Sequence, residues 1–181
     1  GRRDRGNRVE QVYTVFGLLA TGLFPIALVY AGICDLRRFE IPNWVSVVLF
    51  LGFFPIALIV GWDGPALLDH LLAGCAMLAL GFFLFAGSVI GGGDAKLLAA
   101  VAVWTGWALL PAFLVVMALS GGVIAVFLIV FRHIPLPAGA ARIGWLRGLH
   151  EKRKDVPYAV AIAAGGLFVY SNLGIFVSAG G

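Results

Sequence analysis

Apolar residues run along this chain in long blocks, and polar residues are confined to short gaps between them. A helix that crosses a bilayer needs about 20 mainly apolar residues. Six blocks approach or exceed that length: Val12 to Ile33, Trp44 to Val60, Ala66 to Ile90, Ala95 to about Leu110, Ala112 to Phe131, and Val156 to Val177. Only Pro111 separates the fourth from the fifth, and a proline inside a helix ends or kinks it. A break there gives six spans and a kink gives five. The pattern predicts an all-α, polytopic membrane helix bundle with six transmembrane helices, forming a single domain over residues 1–181. Residues 1–11 read as a polar N-terminal tail. The first block is longer than a signal-peptide core and further apolar blocks follow, so it reads as a retained span.

Residues 132–155 form the longest polar stretch. Within it Ile143, Leu146 and Leu149 recur at intervals of three, with Trp145 beside them and Arg142, Arg147, Lys152 and Arg153 around them. This pattern suits a short helix lying on a membrane surface. A solvated linker carrying a topology signal suits it as well.

Composition points the same way. Hydrophobic residues make up 61% of the chain and charged residues 12%, against about 25% charged in soluble domains. The net charge is +4. Its basic residues cluster in loops, so the charge reads as topology and not as nucleic-acid binding. Nine of them (Arg37, Arg38, Lys96, Arg132, Arg142, Arg147, Lys152, Arg153 and Lys154) follow the first, third and fifth spans. Four (Arg2, Arg3, Arg5 and Arg8) lie on the opposite side. The excess places the nine in the cytoplasm and the N-terminus outside. Cys34 and Cys75 form no Cys-x-x-Cys pair and read as small apolar residues. His70, His133 and His150 have no metal-site spacing, so no metal or other cofactor is expected.

Two aspartates stand at the ends of these blocks, where a carboxylate beside hydrocarbon is costly. Asp35 is followed by Leu-Arg-Arg-Phe-Glu-Ile-Pro-Asn, and Asp94 is preceded by Gly91-Gly92-Gly93. With six spans both lie on the same side, whichever way the bundle is oriented. Local reasons also exist for each residue. Asp94 suits the N-cap of a helix starting at Ala95, and Asn43 suits the cap of one starting at Trp44. Asp35 suits a span end at the headgroups. Gly91, Gly92 and Gly93 leave room for another backbone to approach, and the four-residue step from Gly87 to Gly91 suits close helix packing.

The combination is more specific than its parts. Asp35, then Ile41-Pro42-Asn43, then Gly91-Gly92-Gly93-Asp94 at the next same-side junction, then Val156-Pro157-Tyr158 before Ala159 to Gly165, resembles the type IV prepilin peptidase family. These are membrane aspartic peptidases with a Gly-x-Gly-Asp motif, which presenilin-type enzymes also carry. The resemblance spans about Phe24 to Gly166. It is to the short, peptidase-only form, as in tight-adherence (Flp) pilus systems and archaeal preflagellin peptidases. The longer members add an N-terminal segment with paired cysteines and methylate the new N-terminus.

The resemblance implies that Asp35 and Asp94 are a catalytic dyad sharing one proton, one acting as base on water and the other as acid on the scissile carbonyl. It implies an integral membrane peptidase in a prokaryotic inner membrane, with its active site facing the cytoplasm. The implied partners are prepilin-like precursors: a basic leader, a cut after glycine, an apolar helix behind it, and often a glutamate near the mature N-terminus. Lys96, Arg37 and Arg38 are the bases nearest the aspartates and the candidates to pair with that glutamate, though each also reads as a snorkelling topology charge. Gly91 to Gly93 are candidates to lie against unwound substrate. Two other readings use the same residues: a small transporter or proton channel, and a non-catalytic assembly protein of a pilus or secretion machine.

Overall fold

The computed structural model describes residues 22–137, 139, 142–151, 156–170 and 172. The polar tail, the first ten residues of the first block, the cluster Lys152 to Asp155 and nearly all of 171–177 lie outside the described residues. Every regular element among the described residues is helical. α1 covers residues 22–38. α2 (Asn43–Val60), α3 (Gly64–Ala86), α4 (Gly92–His133), α5 (Gly144–Glu151) and α6 (Tyr158–Tyr170) follow. α3 and α4 are long and apolar enough to cross a membrane, and α2 and α6 are shorter apolar helices.

Local chemistry sets several ends. Asp63 caps α3 by accepting from Ala66 N at 3.0 Å. α2 stops at Gly61, which takes the left-handed conformation at φ 78°. Its start corrects one expectation: Pro42 holds the cap position, and Asn43 Oδ1 instead accepts from Lys96 Nζ at 2.9 Å. Gly87 and Gly91 flank the α3–α4 turn, so they form no common helix-packing face.

α4 is two arms. Gly106 has φ 57° and ψ −178°, a region open essentially to glycine alone. On one straight helix Asp94 and Gly121 would stand ~40 Å apart at about 1.5 Å per residue. They instead line one cavity, along with Leu98 and Ala125, so the second arm folds back along the first. The apolar run is broken as expected, but at Gly106 and not at Pro111, which lies about one turn inside the second arm. The bonds around the break explain the site. In an unbroken helix Trp107 N–H would donate to Val103 O. Here Trp107 N donates to Asp69 Oδ2 at 3.2 Å, and Val103 O accepts from His70 Nδ1 at 2.8 Å. A carbonyl only accepts, so Nδ1 carries the proton. Adjacent residues of α3 thus replace both halves of one lost helical bond. Thr105 Oγ1 covers a further carbonyl, Ala102 O, at 3.1 Å. Trp62 stacks on the His70 ring, centroids 4.3 Å apart.

Glycines allow the helices to approach closely. A Cβ at Gly81 would stand 2.9 Å from Ala95 Cβ, fixing α3 against the first arm. One at Gly165 would stand 2.8 Å from Phe113 O on the second arm, and one at Gly166 would meet Leu28 of α1 at 2.6 Å. α6 is therefore wedged between α1 and both arms. Trp104, 1% exposed, anchors the centre: its indole donates to Leu49 O of α2 at 2.9 Å, and its ring lies 4.9 Å from that of Phe24 on α1.

Gly106→Ala places a Cβ 2.9 Å from the His70 ring in a backbone region that costs a non-glycine residue about 1–3 kcal/mol. It should lower stability by at least that amount in thermal unfolding of the detergent-solubilised chain. Pro111→Ala should leave stability unchanged or raise it, because the break does not rest on the proline.

Candidate active site

Asp35 lies in the last turn of α1 and is 5% exposed. Its Oδ2 accepts from Ala159 N at 2.8 Å. Ala159 is in the first turn of α6, directly after Pro157, where backbone N–H groups have no intrahelical acceptor. Asp35 therefore caps α6 from another helix, 124 positions away in sequence. The partial positive charge at a helix N-terminus also favours a carboxylate there.

Asp94 lies in the first turn of α4 and is 9% exposed. It is not the N-cap. Gly91 is the cap residue, and Asp94 Oδ2 reaches back to accept from Gly91 N at 3.1 Å. The glycine run has internal reasons. A Cβ at Gly91 would stand 2.9 Å from Asp94 Oδ2, and one at Gly93 would stand 3.2 Å from Ile41 Cβ. Gly92 faces the Phe85 ring at an ordinary 3.5 Å. Gly92 and Gly93 are helical, so this stretch is not unwound. Asp94 Oδ1 is buried without a hydrogen-bond partner.

Both carboxylates line one chamber of about 410 Å³. Arg38, Glu40 and Ser88 add polar groups to its wall, and Gly91 and Tyr158 complete the side near Asp94. Of the three candidate bases only Arg38 lines it. Lys96 is held on Asn43, and Arg37 is exposed at the end of α1. α5 sits beside the chamber: a Cβ at Gly148 would stand 4.0 Å from the Phe39 ring. Leu149 of α5 is buried while Trp145 and Ile143 remain exposed, and Arg132 Nε donates to Leu149 O at 3.0 Å. The expected helix within the polar loop is thus present.

Backbone strain gathers at the same place. Phe39 (φ 56°) and Ser88 (φ 58°) are the non-glycine residues in the left-handed region among those described, and both line the chamber. Each conformation costs about 1–3 kcal/mol. Phe39 closes α1 by donating to Asp35 O at 2.8 Å, and Ser88 closes α3 with Val89 N donating to Leu84 O at 2.9 Å. The motifs gave no sign of these two residues, nor of Glu40. An adjacent glycine, Gly87, is present, yet the left-handed position falls on Ser88. Among the described residues no three His, Cys, Asp or Glu side chains gather to hold a metal ion. The chamber offers two buried carboxylates in the lining of one polar space, the residue types that paired acid and base catalysis uses.

The type IV leader peptidase family matches residues 22–126. Those residues contain both aspartates and both arms' junction at Gly106. A prepilin leader peptidase/N-methyltransferase of Aeromonas salmonicida is 31% identical over 142 residues, covering 72% of this chain and 49% of that protein. One of the same description from Aeromonas hydrophila matches to the same extent. The chain spans about half the length of the curated relatives it matches. No solved structure matches it. With the family's match running over more than half of its length, the chain belongs to the type IV leader peptidase family.

Proposed function

We propose that the chain is a membrane aspartic endopeptidase that removes the basic leader from type IV prepilin-like precursors, with Asp35 and Asp94 as its catalytic pair. One observation carries this reading: two buried carboxylates from different helices line one chamber. Water held between them loses a proton to one carboxylate as its oxygen attacks the scissile carbonyl carbon. The other carboxyl gives its proton to the carbonyl oxygen. The carboxyl that took the water proton then gives it to the amide nitrogen as the C–N bond breaks, and one hydroxyl of the gem-diol returns its proton to the other carboxylate, leaving a carboxylic acid, an amine and the pair in its starting state. The two groups titrate as a unit, so the shared proton is assigned to neither.

The bundle has six spans in this reading: α1, α2, α3, the two arms of α4, and α6. As a single rod the 42 residues of α4 would extend ~63 Å, against a bilayer core of about 30 Å. The reversal at Gly106 divides α4 into arms of ~21 and ~40 Å, so the second is long enough to cross the core and the first is the short member of the pair. In this reading the membrane is a prokaryotic inner membrane, and the excess of basic residues in the loops nearest the aspartates supports a chamber at its cytoplasmic face. Apolar side chains such as Leu58 (75% exposed), Phe83 (71%) and Ile26 (70%) then face lipid. Arg38 is the cation positioned to meet an acidic residue near the mature N-terminus, and Glu40 meets the basic leader.

Asp35→Asn and Asp94→Asn should each abolish leader removal, read by gel shift of a co-expressed prepilin, while the protein still accumulates in the membrane. Asparagine keeps an oxygen for Ala159 N–H, so Asp35→Asn should melt close to the parent. Asp35→Ala should lose about 1 kcal/mol with the cap. Complete cleavage by either asparagine variant would dismiss the pair.

Arg38→Glu should slow cleavage at least tenfold, and a Glu-to-Lys change near the mature N-terminus of the prepilin should restore much of the rate. Lys96→Glu should show no such rescue, since its ammonium group is held on Asn43. Rescue at Lys96 in place of Arg38 would reverse the assignment.

A further inference from the structure

A second cavity, about 390 Å³, adjoins the carboxylate chamber. Val89, Ile90, Asp94, Val156 and Tyr158 line both spaces, so the two share a wall. Their chemistry differs. The chamber carries Arg38, Glu40 and Asp35. Beyond Asp94 and Tyr158, the second cavity is a groove walled by apolar residues such as Leu84, Leu98 and Met117, with Ala118, Gly121, Gly122 and Ala125 along one face of the second α4 arm.

The glycines here differ from those in the helix contacts. Cβ atoms at Gly81, Gly165 and Gly166 would collide with neighbouring helices, so internal packing accounts for them. Among the described residues, a Cβ at Gly122 would meet nothing within 4 Å, and one at Gly121 would only touch Ala161 Cβ at an ordinary 3.5 Å. The space above Gly122 is open although the fold does not need it open. At the junction stands Asp94 Oδ1, buried and unpartnered.

The geometry points to a two-compartment substrate site: the groove seats one face of an apolar helix of the precursor, the peptide bond to be cut lies where the two spaces meet, at Asp94 of the Asp35–Asp94 pair, and the polar leader occupies the chamber. This rests on the peptidase reading and adds to it the surface that selects the substrate. A bare small-residue face lets an incoming helix backbone come close in a setting where lipid gives no hydrophobic drive to association. A polypeptide that changes from polar to apolar at the cut matches both compartments at once. One that is polar on both sides leaves the groove unfilled.

Gly122→Leu is the direct test, because the fold has room for the side chain and leucine is a good helix former. It should lower kcat/KM for a membrane-anchored prepilin at least tenfold, with the loss carried by KM. Val123→Leu, at a 70% exposed position outside the groove, should cleave at the parent rate. Occupancy is read separately from hydrolysis. In an Asp35→Asn, Cys34→Ala, Cys75→Ala background, Gly122→Cys should form a disulfide with a cysteine placed early in the apolar segment of the prepilin, and Val123→Cys should not. Parent-level cleavage by Gly122→Leu, or equal cross-linking from both positions, would overturn the groove. Continued cleavage by the aspartate variants would instead remove the peptidase reading. A Gly122-specific cross-link in that case would leave the groove standing as a binding surface.

Discussion

A carboxylate buried without a donor costs several kcal/mol, and this fold buries two. Each is held by a backbone N–H at the start of a helix: Asp35 at α6, Asp94 at α4. The bonds that make burial tolerable also fix where the carboxylates stand. Asp35 cannot leave the chamber wall without uncapping α6, and α6 is the helix wedged by Gly165 and Gly166 against α1 and both arms of α4. The proposed chemistry and the closure of the bundle therefore share one side chain. Conservative replacement by asparagine separates the two roles, whereas alanine removes both.

The reversal at Gly106 brings the second arm back to the level of Asp94. Without it the groove would lose one wall. The break is costly in backbone terms, and its cost is met from α3 by Asp69, His70 and close ring packing. These groups lie near the start of α3, while the chamber is lined from its other end, by Phe85 and by Ser88 just beyond it. The break and the groups that satisfy it thus sit at one end of α3, and the chamber sits at the other. Phe39 and Ser88 add a second strained region, at the chamber itself.

The parts of this arrangement that were legible in sequence depended on contrast. Asp35 and Asp94 stand out because little else in the apolar blocks is charged, and an odd number of helix reversals places them on one side. The glycine run was visible, but its purpose was not: contacts with Ile41 and with the Asp94 carboxylate come from the tertiary fold. The break was sought at Pro111 because proline is the stronger local breaker. The partners that stabilise it at Gly106 lie more than thirty residues earlier in sequence, beyond any local pattern. The same holds for Asn43, which suited a helix cap until Lys96 took its oxygen. Left-handed Phe39 and Ser88 run against residue preference, so no propensity argument reaches them.

The reversal also has a temporal side. A chain is made from its N-terminus, and segments fold in the order in which they emerge. Asp69 and His70 precede the break, so the groups that accept Trp107 N–H and donate to Val103 O already exist when Gly106 leaves the ribosome. The earlier helix is a template on which the later hairpin is shaped, and circular permutation between α3 and α4 would deprive the nascent turn of that template.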